Sequence, residues 1–363
     1  FRADEARNIK MNEQAEDFRR ITMKVLVMQL ASTTIMDLVA YGGAGLGVCM
    51  SIRAALNGAD PAVCLFLILV AVEFFLPLRS LGSAFHVAMN GASAGQKIVS
   101  LLEQEEPKWG KKESKESTLS LEHVTFSYDG QRQVLSDVSM EFPPCSMTAI
   151  VGESGAGKST VVSLLCGGRR PNAGKVLLGS TSIDELKRES FYKRLAVVSY
   201  NTYIFNDTVR ANFQLASPDV SEKTIWDALA QVRLDDFIRD SGGLDKVISE
   251  DGANISGGQK QRLALAIALA ADKDIYLFDE ATSNIDVDSE SVIMDTVHKL
   301  AESKTVIVIS HRLANIEKAD KIYVLADGRV AESGTHQKLL ENGGMYSQMY
   351  LTQKSLEEVD INE

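Results

Sequence analysis

Cysteine is scarce in this chain, and its spacing argues against two kinds of small stabilised fold. The 363 residues include only four cysteines, Cys49, Cys64, Cys145 and Cys166, which lie far apart and form no Cys-x-x-Cys pair. Such spacing indicates neither a zinc site nor a disulfide framework. Buried free thiols are the simpler interpretation.

An excess of positive charge is also missing. Of the 38 Lys and Arg residues, 9 lie in residues 1–100, and of the 49 Asp and Glu residues, 8 lie there. The acidic excess of the chain therefore belongs to the part after residue 100. Nucleic-acid binding needs clustered cations that contact phosphate groups. We therefore expect no nucleic acid among the partners of this protein.

A secretory leader is not apparent either. The chain begins at Phe1, and no basic segment followed by a short apolar run and a cleavage site opens it. This predicts that no signal peptide is present and that the chain is part of a longer protein. Its composition, with 45% hydrophobic and 24% charged residues, is typical of an ordered chain, and its length allows two or three domains.

Two long apolar runs stand near the N-terminus. Residues 25–52 carry one formal charge, Asp37, and residues 61–78 carry one, Glu73. At 1.5 Å per residue, helices of these lengths approach or exceed the roughly 30 Å hydrocarbon core of a bilayer. We therefore predict transmembrane helices at about 25–52 and 61–85 with cytoplasmic extensions. The alternative is a pair of buried helices in a soluble protein, because periodicity does not exclude it.

The flanking charges predict the orientation of this helical hairpin. Five basic residues flank its two ends, whereas Arg53 stands alone at the turn; the five are Arg19, Arg20, Lys24, Arg79 and Lys97. By the positive-inside rule, both ends lie in the cytoplasm of a multi-pass membrane protein surrounded by lipid. We assign residues 1–102 to a partial transmembrane domain, 103–118 to a charged linker, 119–352 to a second domain and 353–363 to a polar tail.

A phosphate-binding loop is predicted early in the second domain. Residues 147–151 predict a buried strand, residues 161–165 predict a helix, and the pattern G-x-x-x-x-G-K-[ST] lies between them. Glycines let backbone N–H groups surround phosphate oxygens at a helix N-terminus. Lys158 suits the β- and γ-phosphates of a nucleotide, and the Ser159 hydroxyl suits Mg²⁺. The whole loop is Gly152, Glu153, Ser154, Gly155, Ala156, Gly157, Lys158, Ser159 and Thr160.

An apolar strand with two carboxylates at its end is predicted over residues 274–280. Side chains alternate along a strand, so we expect Asp279 and Glu280 to point in opposite directions and to have different roles. Asp279 would hold Mg²⁺, and Glu280 would accept a proton from the attacking water. Such a strand is common in isolation, but after a phosphate-binding loop it indicates nucleotide hydrolysis.

Four further segments complete the pattern. Residues 254–259 precede a predicted helix over 260–270 and offer a second anion site, although such a turn alone is more often a helix cap. Residues 283–286 follow the acidic strand. A strand over 305–310 presents His311 at its end, and Tyr128 is an aromatic residue before the loop. In isolation, this histidine and this tyrosine would more often be structural.

Together, in this order and spacing, the segments resemble the ATP-binding cassette (ABC) family over residues 119–352. The resemblance implies an α/β P-loop NTPase fold, the ABC nucleotide-binding domain, preceded by an all-α transmembrane segment. It implies that Tyr128 stacks on adenine and that Glu280 and His311 are catalytic. The segment Ser256, Gly257, Gly258 and Gln259 would contact the γ-phosphate of ATP in a second cassette, Asp286 would lie in the loop joining the two sites, and residues 250–252 would face the membrane domain.

Membrane helices before a cassette in one chain resemble the half-transporters of ABC exporters, here with the last two of their six helices. The resemblance implies an ATP-hydrolysing subunit in a bacterial inner or plasma membrane, with its ATP-binding domain in the cytoplasm and a second half-transporter as partner in a homodimer or heterodimer. Residues 278–290 and 309–315 are similar to a bacterial branch often grouped with the cysteine and glutathione exporters of the CydDC type. The sequence does not indicate the transported substrate.

Three other classes share the nucleotide motifs. A soluble cassette ATPase acting on nucleic acid or ribosomes would lack residues 25–78 and carry a basic arm. An importer ATPase is normally a separate chain without fused helices. A channel-like regulatory member would carry a long regulatory insertion. Each expectation differs from the sequence at hand.

One position departs from the family pattern. The register set by residues 205–208 places the glutamine of the family at Tyr200. The family resemblance implies that an amide there approaches Mg²⁺ and the attacking water, and a phenol does not reproduce an amide acceptor. Asn201 is the neighbouring alternative. Because Glu280, His311 and the 256–259 segment match the family, we still expect hydrolysis.

Overall fold

The computed structural model describes residues 4–103, 107–130, 132–282 and 285–360. The chain divides into two compact units, with the division between residues 105 and 106. Each unit has its own architecture. The first consists of helices, and the second combines strands and helices.

The first unit is a pair of long helices, α1 (Asp4–Leu56) and α2 (Pro61–Leu102). Asp60 caps α2, because its carboxylate accepts a hydrogen bond from the backbone N–H of Ala62 at 2.9 Å, and Pro61 occupies the first helical position, where proline is favoured. A Cβ atom added to Gly47 would lie 2.8 Å from that of Ala71, so the two helices approach closely there. Both helices extend beyond the predicted spans.

The first unit exposes much apolar surface. Leu38 on α1 is 73% exposed and Phe66 on α2 is 64% exposed. Within the described residues, the segment Met11–Leu56 is long and apolar enough to cross a membrane, whereas Pro61–Phe74 is a shorter apolar segment. One segment of membrane length is therefore identified in the described part of the chain; several side chains after Phe74 lie outside that part, so the second predicted span stays a prediction. The Arg79 side chain, one of the predicted flanking charges, lies outside the described residues.

The second unit contains twelve strands in its described part. They are β1 (Leu119–Ser127), β2 (Gln133–Phe142), β3 (Ser146–Val151), β4 (Ala173–Leu178), β5 (Thr181–Ser182), β6 (Leu195–Ser199), β7 (Asp207–Thr208), β8 (Val247–Ile248), β9 (Ile275–Asp279), β10 (Thr305–Ile309), β11 (Lys321–Ala326) and β12 (Arg329–Gly334). The strands predicted over 147–151, 274–280 and 305–310 correspond to β3, β9 and β10.

The strands form a six-stranded sheet and smaller antiparallel sheets. The large sheet has the order β12-β11-β3-β10-β9-β6, in which all neighbouring pairs are parallel except β11 and β12. A four-stranded antiparallel sheet has the order β2-β1-β4-β5, and β7 pairs with β8. The carboxyl ends of β3, β6, β9 and β10 meet at one edge of the large sheet, which is where open α/β folds bind ligands.

The helices of the second unit are α3 (Lys158–Leu165), α4 (Arg188–Tyr192), α5 (Val209–Ala216), α6 (Glu222–Gln231), α7 (Asp235–Asp240), α8 (Gly257–Ala270), α9 (Val287–Ala301), α10 (His336–Glu341) and α11 (Met345–Asp360). Short 3-10 turns lie at Gly243–Asp245, Glu250–Gly252 and Leu313–Ile316. Helix α11 continues through most of the residues that the sequence assigned to a polar tail.

Two apolar cores cover the faces of the large sheet, as the alternation of side chains along β3 shows. Ala149 and Val151 pack in one core with residues of α5, α6, α8 and α9, whereas Ile150 packs in the other with residues of α3, β1 and β2. Strands buried on both faces explain why β9 and β10 read as continuous apolar runs. The resulting sheet fixes the ends of its strands in place.

The start of the second unit is attached to its surface. The backbone N–H of Gly110 donates to the Leu186 carbonyl at 2.9 Å, and that of Lys187 donates to the Lys112 carbonyl at 2.8 Å. The Trp109 ring lies under the Arg170 guanidinium at 4.6 Å. The described part of the predicted linker, residue 103 and residues 107–118, therefore includes a segment anchored to the domain that follows it.

Candidate nucleotide-binding site

A cavity of about 510 Å³ lies at the carboxyl edge of the large sheet. Its lining residues come from the loops after β3, β6, β9 and β10 and from the antiparallel sheet. They are Tyr128, Val134, Ser154, Gly155, Gly157, Lys158, Ser159, Thr160, Ser199, Tyr200, Asn201, Asp279, Glu280 and His311. The structure thus brings together residues that are as much as 183 positions apart between Tyr128 and His311.

Glycine is required at two positions of the loop between β3 and α3. Gly157 caps α3 with φ of 105°, a conformation that residues with a side chain rarely adopt. A Cβ atom at Gly152 would collide with the Leu325 carbonyl oxygen. Gly152, Glu153 and Ala156 do not line the cavity, whereas the other six residues of the predicted loop do.

Lys158 lies at the first position of α3, with its side chain buried beside the cavity. Its ammonium group donates to the carbonyl oxygens of Gly152 at 2.8 Å and Glu153 at 2.9 Å. Burial lowers the pKa of Lys158 below its ordinary value of 10.5, while the carboxylates of Glu280 and Asp279 act in the opposite direction. The cavity therefore holds one partly desolvated cation near two carboxylates.

The two carboxylates both line the cavity, so the prediction that they point in opposite directions was wrong. Asp279 is the last residue of β9, but Glu280 lies beyond the strand with φ of 52°. The backbone N–H of Glu280 donates to the Ile309 carbonyl at 3.0 Å and fixes this turn. Strand alternation does not apply after the strand has ended, because a left-handed residue redirects the side chain.

Glu280 and His311 are directly linked. Oε1 of Glu280 lies 2.6 Å from Nε2 of His311, and both side chains border the cavity. His311 follows β10 by two residues, so the parallel pairing of β9 and β10 places both side chains at the same edge. A carboxylate that is oriented by a hydrogen bond to an imidazole is suited to receive a proton.

Asp279 has the electrostatic environment of a cation ligand. Burial, and next the neighbouring Glu280, raise the pKa of Asp279 above its ordinary value of 3.8, while Lys158 and His311 lower it. The carboxylate is therefore incompletely compensated. Ser159 and Asp279 both present oxygen to the cavity, and the described residues contain no group of three or more His, Cys, Asp or Glu arranged to hold a metal ion by themselves. That set fits Mg²⁺ held by one or two protein oxygens together with phosphates.

Tyr128 is held at the outer wall of the cavity by three contacts. Its hydroxyl lies 3.1 Å from the hydroxyl of buried Thr160, and the Phe126 ring meets it edge-on with centroids 5.0 Å apart. The Arg169 guanidinium lies 4.6 Å from the centre of the Tyr128 ring. Arg169 was not identified from the sequence, and nothing in its local pattern indicates this contact.

Tyr200 and its neighbour Asn201 both line the cavity. The backbone of Tyr200 is held on two sides: its N–H donates to the Asp279 carbonyl at 3.0 Å, and its carbonyl accepts from the amide of Gln261 at 2.9 Å. Gln261 on α8 is buried, which is unusual for glutamine. A polar residue within the apolar helix 260–270 is the sequence signal by which this contact could have been found.

The 256–259 segment lies outside the residues that line the cavity. Ser256 and Gln259 form a reciprocal cap at the start of α8: the Ser256 hydroxyl accepts from the Gln259 N–H at 3.2 Å, and the Gln259 side chain accepts from the Ser256 N–H at 2.9 Å. Gly257 begins α8. A Cβ atom at Gly258 would lie 2.5 Å from the Ser289 hydroxyl and 2.7 Å from the Asp286 carboxylate.

Asp286 is also a helix cap. Its carboxylate accepts from the Ser289 N–H at 2.8 Å at the start of α9. This bond first, and the Ser289 side chain next, lower the pKa of Asp286 below 3.8. Ser283 and Asn284, which the sequence assigned to the same loop, lie outside the described residues. The structure places the described part of this loop beside the start of α8.

Comparisons with known proteins agree with this geometry. The sequence model of the family described as ABC transporter matches residues 135–283. An uncharacterized ABC transporter ATP-binding protein of Haemophilus influenzae is 43% identical over 96% of the chain and 63% of its own length. An ATP-dependent lipid A-core flippase of Chromohalobacter salexigens is 35% identical over 94% of the chain and 60% of its own length.

A solved structure agrees as well. The structure of a bacterial Atm1-family ABC exporter with ATP bound matches 96% of the chain and 62% of its own length, with a TM-score of 0.75 and 29% identity. The chain thus spans about three fifths of the length of these relatives. Its fold is an N-terminal helical segment followed by an α/β nucleotide-binding domain, and the chain carries a domain of the ABC transporter family over residues 135–283.

Proposed function

We propose that this chain is the ATP-binding and ATP-hydrolysing part of an ABC exporter that moves a substrate across a membrane. The observation that carries the proposal is the shared cavity, in which Lys158, Asp279, Glu280 and His311 converge. The names of the relatives, a lipid A-core flippase and an Atm1-family ABC exporter, support it over a soluble ATPase acting on nucleic acid or ribosomes. The apolar surface of α1 and the acidic charge after residue 100 favour the same choice.

Nucleotide binding follows from the loop and its surroundings. The N–H groups of Gly155 and Gly157 and the start of α3 offer donors for phosphate oxygens, and the Lys158 ammonium supplies the positive charge. Tyr128 presents a ring for stacking on adenine. Ser159 and Asp279 would hold Mg²⁺, which would supply positive charge against the negative charge of the phosphates.

Hydrolysis is assigned to Glu280 and His311. Glu280 accepts the proton of the attacking water, and the hydrogen bond from His311 at 2.6 Å orients its carboxylate and stabilises the charge that moves. Tyr200 lies at the same cavity, in the place that the family pattern gives to a glutamine. A phenol lacks an amide oxygen, so we assign to this site a lower rate than glutamine would give.

A second half-transporter completes the site. The Ser256, Gly257, Gly258 and Gln259 segment and Asp286 lie outside the cavity of their own domain, at the start of α8 and α9. A capped helix N-terminus is suited to a γ-phosphate presented by another cassette. We propose a homodimer or a heterodimer. The finer prediction of a cysteine or glutathione exporter branch stays a prediction, and the cargo is left open.

The central experiment compares Lys158→Ala with Lys304→Ala in the purified full chain. Lys158→Ala removes the cation at the phosphates, so ATPase activity should fall to background and ATP binding should weaken. Lys304 lies in a surface ion pair with Asp272, and its removal should leave the rate unchanged. Hydrolysis by Lys158→Ala at the rate of the parent chain would overturn the proposed function.

The membrane part of the proposal is tested separately. We place both ends of the α1–α2 hairpin in the cytoplasm of an inner or plasma membrane and the turn near Asn57 outside. A cysteine at position 57, in a chain without its native cysteines, should react with an impermeant maleimide in whole cells. Reaction only after lysis would reverse this topology.

A further inference from the structure

The backbone around His311 is shaped by a short loop, residues 310–313, which we call the histidine loop. It follows β10 and leads into the 3-10 turn Leu313–Ile316. Within the loop, the Ser310 hydroxyl donates to the Arg312 carbonyl at 2.9 Å and accepts from the Arg312 N–H at 3.0 Å. The Arg312 guanidinium pairs with Glu290 on α9. These bonds hold the loop together, but they do not involve the carbonyl of His311 or the N–H of Leu313.

Those groups are bound by one amide from the C-terminal helix. Nε2 of Gln353 donates to the His311 carbonyl at 2.6 Å, and Oε1 of Gln353 accepts from the Leu313 N–H at 3.0 Å. A single side chain thus holds both sides of the histidine loop. Only an amide offers a donor and an acceptor in this arrangement, because a carboxylate accepts only and an apolar side chain does neither.

Helix α11, which carries Gln353, is itself firmly seated. Tyr346 is fully buried, and its hydroxyl lies 2.7 Å from Nδ1 of His336 on α10. The Glu332 carboxylate on β12 accepts from the N–H groups of Met345 at 2.6 Å and Tyr346 at 3.2 Å. Two helical turns separate Tyr346 from Gln353, so the amide projects from a fixed support.

We propose that Gln353 is a positioning residue for His311: it fixes the histidine loop so that the imidazole meets Glu280 in the geometry of hydrolysis. The sequence assigned Gln353 to a polar tail, whereas the structure makes it the link between α11 and the catalytic pair. The inference rests on the proposed function, since it assigns Gln353 to the same reaction. Its direct contact is with backbone, so Gln353 acts through His311.

The experiment compares Gln353→Ala and Gln353→Glu with Gln348→Ala in the full chain. Gln348 lies on the exposed side of the same helix and has the same side chain, so its removal should change nothing. Gln353→Ala should lower kcat about tenfold with KM for ATP within twofold, because Gln353 does not line the cavity. Hydrogen exchange at the Leu313 amide should rise about tenfold, while exchange over residues 345–350 should not change.

The Gln353→Glu variant separates positioning from support of the helix. Its carboxylate still accepts a hydrogen bond from the Leu313 N–H, but it has no proton to donate to the His311 carbonyl. Protonation of the carboxylate restores that donor. A Glu side chain titrates near pH 4.3 and higher beside a carbonyl. The kcat of this variant, divided by that of the parent chain, should therefore rise at least threefold between pH 8 and pH 5.5.

Three results would overturn the inference: unchanged kcat in Gln353→Ala, faster exchange over residues 345–350 in that variant, or a flat pH ratio for Gln353→Glu. Each would reduce Gln353 to a structural contact of α11. Failure of the proposed function is recognised separately, because it requires full hydrolysis by Lys158→Ala. If Lys158→Ala lost hydrolysis while Gln353→Ala kept full activity, the positioning role of Gln353 would be rejected and the proposed function would stand.

Discussion

The ATP-binding domain has two polar surfaces that are built in opposite ways. At the cavity, Lys158, Asp279, Glu280 and His311 come from three separate segments of the chain and are brought together by the strand order of the large sheet. At the start of α8, the polar groups of Ser256 and Gln259 come from one segment and bond to each other. The first surface depends on the global fold, and the second depends on local sequence.

The two surfaces also differ in how they shift the pKa of a carboxylate. Burial and the Glu280 carboxylate raise the pKa of Asp279 at the cavity. Hydrogen bonds from Ser289 lower the pKa of Asp286 beside α8. A carboxylate whose charge is opposed by its surroundings is ready for a cation, whereas one that is satisfied by its own helix is a structural cap. The difference indicates that the reactive groups lie at the cavity, whereas the surface at the start of α8 provides a rigid shape.

The largest effect is expected at the cavity, from Glu280→Gln. The amide keeps the shape of the side chain but does not take a proton from water, so hydrolysis should fall by about 10² to 10⁴-fold. ATP binding should remain, because the phosphate-binding groups are untouched. Single-turnover hydrolysis and equilibrium binding of a fluorescent ATP analogue measure the two quantities.

The control for this variant is Glu302→Gln, an exposed carboxylate at the end of α9. It should hydrolyse ATP at the parent rate. If Glu280→Gln kept more than a tenth of the parent rate, the proton acceptor would have to be another group. The claim that the catalytic groups lie at the cavity would then lose its support.

At the other surface we expect a smaller but still large effect from Ser256→Arg. A bulky cation at the start of α8 should prevent a second cassette from closing there, so hydrolysis should fall at least tenfold while binding of ATP to the variant's own cavity is retained. Size-exclusion chromatography with ATP, in the Glu280→Gln background, should show a dimer that Ser256→Arg abolishes.

Loss of a helix cap by itself costs stability, so the matched control is Ser221→Arg. Ser221 caps α6 by accepting from the Thr224 N–H at 3.1 Å, and it does not line the cavity. Each substitution should destabilise its helix by a similar amount, about 1 kcal/mol. Equal loss of hydrolysis in both variants would show that the cap, rather than the surface, matters.

The same contrast explains what could be predicted from the sequence. The strand–loop–helix around Lys158, the acidic end of β9 and the histidine after β10 were identified because each is a local pattern. The direction of Glu280 was not, because a left-handed residue after β9 turns it into the cavity. The contacts of Arg169, Gln261 and Gln353 were not found, since each joins segments far apart in the chain.

The first unit shows a different limit. Apolar runs predict its helices with cytoplasmic extensions, and the extensions are helical, since α1 begins at Asp4 and α2 ends at Leu102. Charged residues along the N-terminal part of α1 carry no periodic apolar signal, although they continue a helix whose backbone is already formed. Hydropathy therefore gives the membrane part of a helix better than its ends.

A moderate effect is expected from Tyr200→Gln, which tests how the cavity departs from the family. The amide provides an acceptor that a phenol lacks, so kcat should rise about two- to fivefold while ATP affinity is unchanged. Tyr203→Gln is the control, because this exposed tyrosine three residues later does not line the cavity.

If Tyr200→Gln leaves the rate of hydrolysis unchanged, the variant Asn201→Ala shows whether Asn201 already supplies the amide. Asn201 lines the cavity next to Tyr200. If Asn201 already supplies the amide, Asn201→Ala should lower the rate. If both variants leave the rate unchanged, the assignment of this position to the attacking water is wrong.

The smallest effect is on stability, where Asp279→Asn and Asp286→Asn should act in opposite directions. Removing the opposed charge of Asp279 should raise Tm in the absence of nucleotide and Mg²⁺ by about 2–4 °C, which corresponds to about 1 kcal/mol in a domain of this size. Removing the hydrogen-bonded charge of Asp286 should lower Tm. Thermal unfolding of the full chain with a chelator present measures both.

The pH dependence of these two shifts gives the sharper test. A raised pKa in the folded state means that the penalty from Asp279 is complete above that pKa and fades as pH falls from it to the ordinary value of 3.8. A lowered pKa means that the stabilisation from Asp286 is complete above 3.8 and is lost as pH falls from 3.8 through the lower value. The Tm shift of Asp279→Asn should therefore fade above pH 3.8 and be lost close to that value, whereas that of Asp286→Asn should fade only below it. Two shifts of the same sign at pH 7, or two that fade over the same range, would contradict the electrostatic contrast between the surfaces.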